Sequence, residues 1–352
     1  MKNFGLIVPE ICTREEGVEH VLGSAVKPII NEKGDWLPHL PDREPQNIKN
    51  VETSACTVYG TLSAIETLVF FHTGIKVNYS DRYVANVAKQ RGILDPRYGA
   101  DPHQIAELIR TVTGNLAEDK APWGDDVQTV DDYYALKDLA ELLKEGPAWY
   151  KEWKFEHEWV WTDRNLDPKV KRELLKEAAK RGSVCVSVYA WLKKNGLYYK
   201  PKGAIDGHWT QVGKILSTKD RIFDSYDTYL KDLTPNYDYA LAKVYYLAPV
   251  KKKAFVFLNN LYYGQQHPDV EELQKALVSL GYKIPHAVTD FFLTETKTAL
   301  AQFQARNGIE DDGSHFGPRT RYAMNRETKI NETPYGALVL LIQRLFSGLW
   351  KS

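Results

Sequence analysis

The order of its hydrophobic periods constrains this chain most: helical spacing fills the first half and strand alternation follows it. From Thr57 to Phe71 the apolar residues Val58, Leu62, Ile65 and Val69 recur every three or four positions, which predicts a buried helix despite Gly60. A second helix is expected over 80–91, capped by Ser80, and a third over 101–112, with Asp101 as cap and Pro102 in the first turn. Helical patterning continues through YYALKDLAELLKEG and KVKRELLKEAAKRG. After it come SVCVSVYA, HWTQVGKILS, DRIFDSYD and LAKVYYLA, which read as strands. Segregated elements predict an α+β domain, a mainly antiparallel sheet packed against a helical half.

With 352 residues and 43% apolar content the chain is long enough for two domains. The basic run and the Gly/Gln/His/Pro stretch in VKKKAFVFLNNLYYGQQHPD mark a boundary. We divide the chain into a lead-in arm (1–37), the α+β domain (38–250), a linker (251–266), a small all-α domain (267–328) and a C-terminal helix (329–352). The small domain carries an internal repeat: VEELQKALVSLGY is echoed some thirty residues later by TALAQFQARNGIEDDG. In each, Leu273-Gln274 or Phe303-Gln304 precedes a helix-ending glycine, Gly281 or Gly308.

Lys+Arg and Asp+Glu balance at 46 each, so no nucleic-acid or anionic-membrane partner is expected. The segment YGALVLLIQRLFSGLW is too short and interrupted for a membrane span. The first twenty residues lack the apolar core of a secretory signal, so the expectation is a cytoplasmic site of synthesis, with any release to a cell wall by another route. Three cysteines, Cys12, Cys56 and Cys185, argue against a disulfide scaffold. Neither CxxC pairs nor HExxH occurs, and no Gly-rich phosphate loop precedes a helix, so no metal or cofactor is expected.

Cys56 stands at the start of the long helix, where unsatisfied N–H groups and the positive end of the dipole favour a thiolate and can donate to an oxyanion. Its bland reading is a small buried hydrophobe, which also suits Cys185 inside SVCVSV. His208 opens a strand, and Asp224 follows sixteen residues later. If the two strands pair through a hairpin at Ser217 to Asp220, imidazole and carboxylate can meet on one face. The imidazole would then take the thiol proton, and Asp224 would fix the ring.

These segments together resemble the papain-like cysteine peptidases. PQNIKNVETSACTVYGTLSAIETL is similar to the family's active-site helix, GHWTQVGKI to its histidine strand and FDSYDTY to its Asn-Ser-Trp segment. YGADPHQIAELIRTVTGNLAEDKAPW resembles the Gly-rich turn and following helix, so that the ordered match covers roughly 38–248. The resemblance implies a two-lobe domain and a Cys56–His208–Asp224 triad, with Asn50 as oxyanion donor in the place of the family's Gln. It further implies substrate contacts at Tyr98, Gly99 and Trp209. In this chain Asp224 stands where the family has Asn, Tyr226 where it has the shielding Trp, and Gln46 is too far upstream to serve as the donor without a loop.

LQKALVSLGY, TKTALAQFQARNGI and DGSHFGPRT resemble the three-helix peptidoglycan-binding modules over about 269–325. The expectation is therefore a cysteine peptidase acting on a peptide or protein amide, with peptidoglycan as an additional partner held by the C-terminal module. The alternative is a non-catalytic wall-binding or virion/envelope structural protein with a vestigial triad.

Overall fold

Polar caps and proline positions set the helix boundaries of the first half. Helix α1 (Cys56–Thr73) ends where Gly74 turns left-handed at φ 71°. Helix α2 (Asp81–Gln90) starts where the Ser80 side chain accepts the Tyr83 N–H, and α3 (Pro102–Leu108) where Asp101 accepts that of His103. Two short helices, α4 (Val130–Tyr133) and α5 (Leu139–Glu145), lead into the sheet, and α6 (Pro168–Arg181) is capped by Asp167. The computed structural model describes residues 5–7, 27–161, 163–189, 191–235, 237–250, 255–286 and 288–328. The expected helix at 329–352 and Cys12 lie outside the described residues. The chain divides into two units, Met1–Val250 and Lys251–Ser352.

In the first unit β1 (Leu94–Asp95) and β2 (Gly99–Ala100) form a small hairpin. The main sheet contains β3 (Trp153–Trp159), β4 (Ser183–Val188), β5 (Leu192–Lys194), β6 (Leu197–Tyr199), β7 (His208–Ile215), β8 (Asp220–Phe223), β9 (Leu230–Leu233) and β10 (Ala242–Pro249). Their order is β3-β10-β4-β7-β8-β9-β6-β5, antiparallel except where β6 meets β9. The unit is α+β.

Alternation on β4 divides the interior. Val184, Val186 and Val188 pack with Leu175 and Ala179 of α6, whereas Cys185 joins Val58, Leu62 and Ile65 of α1. Cys185 donates its S–H to the Gly60 carbonyl at 3.1 Å, a packing role. A Cβ at Gly60 would stand 2.8 Å from the Trp209 ring and 3.2 Å from its carbonyl oxygen, so only glycine lets α1 press directly on β7. A helix-interior glycine costs roughly 0.5–1 kcal/mol. The buried contact of α1 with the sheet offsets that cost.

Two sequence expectations are corrected by packing. Residues 30–37 are not a lead-in arm: Trp36 is 0% exposed, its indole donates to the Ala179 carbonyl at 2.9 Å, and Leu37 fills the space over Gly213. Nor are residues 257–262 a linker, because Phe257 is 1% exposed and β11 (Leu261–Tyr262) pairs with β12 (His315–Phe316). The second unit is built, as expected, on three helices, α7 (Pro268–Ser279), α8 (Thr294–Arg306) and α9 (Pro318–Glu327), with that short ribbon beside them.

Between α1, α2 and the 118–120 turn lies a group of carboxyls. Glu66 accepts the Tyr79 N–H at 2.7 Å and Asp81 the Tyr133 hydroxyl at 2.6 Å. Burial, then the charge of Asp81, pushes Glu44 and Glu118 from their ordinary 4.5 up to about 8. Burial likewise raises Glu66 and Asp81. The folded chain holds these protons while the unfolded chain releases them near 4.5, so their contribution to stability is full at acid pH and is lost as pH rises toward 8. His157 does not oppose this above its ordinary 6.5, because burial keeps it neutral in the fold down to about 3. The melting temperature should therefore rise from pH 8 to pH 6.5, and calorimetry of Glu44→Gln/Glu118→Gln should show most of that rise removed.

Candidate active site

The approach to Cys56 is an irregular stretch. Residues Ile48–Asn50 form a 3-10 turn, Ser54 sits left-handed at φ 54°, and Ala55 makes no side-chain cap, so that Cys56 is the first residue of α1. Its thiol lies near the backbone of Trp209 and of Thr57, both of which favour the thiolate. Trp209 is the neighbour of His208 in sequence, so the first residue of α1 lies near the end of β7 that carries His208.

The β7–β8 hairpin forms around Leu216–Lys219, with β7 and β8 in register as Gln211 opposite Phe223. Asp224 follows β8 and meets His208: Nε2 to Oδ1 is 2.7 Å, with both side chains buried. His208 Nδ1 is buried and makes no hydrogen bond among the described residues. A neutral imidazole that donates from Nε2 to a carboxylate carries its lone pair on Nδ1, which suits it to take a proton. Trp191 and Tyr226 flank the ring, with centroids at 5.5 and 5.2 Å.

Asp224 also accepts the Tyr226 N–H at 3.0 Å and the Lys231 ammonium at 2.6 Å. Burial alone would raise its pKa, but His208 and Lys231 outweigh burial and hold it at about 2. The Cys56 thiol goes the other way. Burial pushes it well above its ordinary 9.0, and the charges of Glu52 and Asp224 add to the rise, against the backbone of Trp209 and Thr57. A helix N-terminus contributes at most about 2 kcal/mol toward a thiolate, so desolvation wins in this covered state.

Glu52 is an unforeseen member of the site. Its carboxylate accepts the Tyr226 hydroxyl at 2.5 Å, the Gln46 amide at 2.9 Å and the Ser54 N–H at 3.2 Å. Gln46, set aside on spacing, is buried and tied to the segment after Asp224 through Ser225 and Tyr226. Its two amide hydrogens are engaged by Glu52 and Tyr226, which leaves neither aimed at an oxyanion in this arrangement. The Asn50 side chain lies outside the described residues.

Trp209 is 1% exposed and packs against α1, so contact with a substrate, expected from its place beside His208, does not hold. Tyr98 is 55% exposed. Gly99 lies under the N-terminal segment Gly5–Ile7, and a Cβ there would be 1.9 Å from the Gly5 carbonyl oxygen. That segment pairs with β2: Ile7 N–H donates to the Ala100 carbonyl at 2.9 Å and Ala100 N–H to Gly5 at 3.0 Å. On its other side Gly5 abuts the Ser54 carbonyl, and Leu6 is 3% exposed within the core. An extended peptide of this chain thus occupies the groove between the residues before Cys56 and the Gly99–Ala100 strand.

In the second unit the sequence repeat has a structural counterpart. Gln274 donates to Thr296 Oγ1 at 2.8 Å and the Phe291 carbonyl at 3.0 Å. Gln304 does the same to Thr320 Oγ1 at 3.0 Å and the His315 carbonyl at 2.8 Å. Beside each lies a cleft, one of about 290 Å³ near His286, Phe291 and Glu295, the other of about 320 Å³ near Asp311, His315 and Arg319. Among the described residues no helix is long and apolar enough to cross a membrane, and no group of three or more His, Cys, Asp or Glu side chains could hold a metal ion.

Residues 266–324 match the family described as "Putative peptidoglycan binding domain". No curated protein matches the chain. Among solved structures the chain is similar to the ragweed pollen cysteine protease Amb a 11 in its proform, at 13% identity over 67% of this chain and 74% of that one, TM-score 0.43. Procathepsin L 3 of Tenebrio molitor larval midgut is similar at 15% identity, covering 64% and 71%, TM-score 0.43. Bromelain from Ananas comosus in complex with the E64 inhibitor is similar at 14% identity, covering 62% and 98%, TM-score 0.42.

Because the Glu52 charge raises the thiol, its removal should ease ionisation of Cys56. Glu52→Gln is expected to increase iodoacetamide labelling of Cys56 severalfold at neutral pH, read by mass spectrometry.

Proposed function

We propose that the first unit is a cysteine peptidase of the papain-like type and that the second unit directs it to peptidoglycan. The observation that carries this reading is the buried His208–Asp224 pair: His208 Nδ1 makes no hydrogen bond among the described residues, and the next residue, Trp209, has its backbone near the Cys56 thiol.

In the proposed reaction the Cys56 proton moves to His208 Nδ1 and the sulfur attacks the amide carbonyl carbon. The oxyanion is met by the backbone N–H of Cys56 at the uncapped start of α1, with Asn50 as the second donor. His208 returns its proton to the leaving amine, the C–N bond breaks, and a thioester remains. Water then attacks the thioester with its proton passing to His208, which releases the carboxylic acid and regenerates the thiol. Asp224 holds the ring and its charged form throughout.

The groove filled by Gly5–Ile7 supports a binding mode for the substrate. An extended chain would exchange main-chain hydrogen bonds with Ala100, and Gly99 permits its close approach. Substrate must displace the N-terminal segment, or the segment must first be cut away. The peptidoglycan-binding match at 266–324 favours a stem-peptide amide, since tethering raises the local concentration of the hydrolase at its polymer.

Cys56→Ala should abolish amide hydrolysis, and His208→Ala should reduce it by roughly a thousandfold or more. An E64-type probe should label Cys56 in preference to Cys185, and labelling should fall in His208→Ala; equal labelling of both thiols would sink the reading. Deletion of residues 1–7 should speed that labelling severalfold by uncovering the groove. The full-length Cys56→Ala protein should sediment with purified cell walls, and failure to do so would count against the wall-directed half.

A further inference from the structure

We propose that Lys231 is a positioning residue that cancels the charge of Asp224, so that the buried carboxylate orients His208 without overholding its proton; this rests on the peptidase reading above. Lys231 lies on β9 in register with Ile222 of β8, the strand that delivers Asp224. Its ammonium meets Asp224 Oδ2 at 2.6 Å, while Oδ1 meets His208 at 2.7 Å. Oδ2 therefore serves the cation, while Oδ1 serves the imidazole and the Tyr226 N–H. The Lys231 side chain is 2% exposed.

The ammonium is also enclosed by three rings, 5.4 Å from the centroid of Trp191, 5.7 Å from Tyr198 and 5.9 Å from Tyr226. Cation–π attraction and a hydrogen-bonded carboxylate together offset the desolvation of a buried lysine. Two of those rings, Trp191 and Tyr226, also flank His208. One aromatic frame thus fixes the base and the counter-ion of its partner.

Charge decides the consequence. A lone buried carboxylate beside an imidazole would stabilise the imidazolium strongly and hinder transfer of the proton to a leaving amine. The same negative charge raises the Cys56 thiol. Lys231 offsets both effects, because Asp224 and Lys231 sum to zero. Among the described residues, other charged or titratable groups nearby include Glu52, which reaches the site through the Tyr226 hydroxyl, Cys56, and the Tyr198 and Tyr226 rings against Lys231. Asp206 is engaged with Lys200 at 2.8 Å and Ser187 at 2.8 Å, and Lys193 stacks on Tyr198.

The test is the pH dependence of Cys56 alkylation in the full chain, with amide hydrolysis followed in parallel. Lys231→Met leaves an uncompensated negative charge, so for the thiol titrating beside a neutral imidazole half-maximal alkylation should move to higher pH by roughly one unit. Asp224→Asn should move it to lower pH. Asp224→Asn/Lys231→Met, neutral again, should return close to the parent, and Lys231→Arg should stay there. A folded Lys231→Met with the parental profile, or a double variant displaced as far as Lys231→Met alone, overturns the proposal. Should Lys231→Met fail to fold, an Asp224→Asn profile that does not move, or that moves upward, overturns it equally. If no variant nor the parent hydrolyses amides, yet the profiles shift and return as stated, the peptidase reading fails and the charge pairing stands.

Discussion

The close approach of α1 to β7 at Gly60 governs the geometry of the first unit. Helix and strand touch there backbone to ring, with no side chain between them, and both ends of the site hang from that contact. One turn N-terminal of Gly60 is Cys56; one residue before Trp209 is His208. A larger residue at position 60 would push the helix off the sheet and draw the sulfur away from the Trp209 backbone near it. Interiors resist such shifts because they are packed to crystal-like density.

Around that contact the interior carries an unusual amount of charge. Asp224, Lys231 and His208 are fully enclosed, Glu52 is half-buried beside them, and a second group of carboxyls sits between α1 and α2. Buried charges persist where each finds a partner of opposite sign or gives up its charge. The site follows the first course, with the Lys231 ammonium answering Asp224. The α1–α2 carboxyls follow the second: burial raises all four, and Glu44 and Glu118 reach about 8.

Much of this was legible in the sequence, for reasons that differ by residue. Cys56, His208 and Asp224 could be singled out because a helix start, a strand and a short hairpin are local patterns, and Ser80 and Asp101 cap where their chemistry demands. Gln274 and Gln304 stood out because the chain repeats itself. Lys231, Glu52 and Trp191 could not be found this way. Lys231 reaches Asp224 through the β8–β9 register and Glu52 reaches Tyr226 across 174 positions, and neither relation leaves a periodic trace. Trp36 and Phe257 were misread as arm and linker because proline-rich or polar surroundings hide a single buried aromatic whose partners are distant in sequence. The role of Gly5–Ile7 depended on a bridge to Ala100 that no local pattern announces.

That bridge separates two kinds of contact. The exchange between Gly5, Ile7 and Ala100 uses only peptide groups, which every polypeptide carries alike. The side chain between them, Leu6, is 3% exposed in an apolar cluster, where a branched aliphatic group leaves no void and a charged one finds no water.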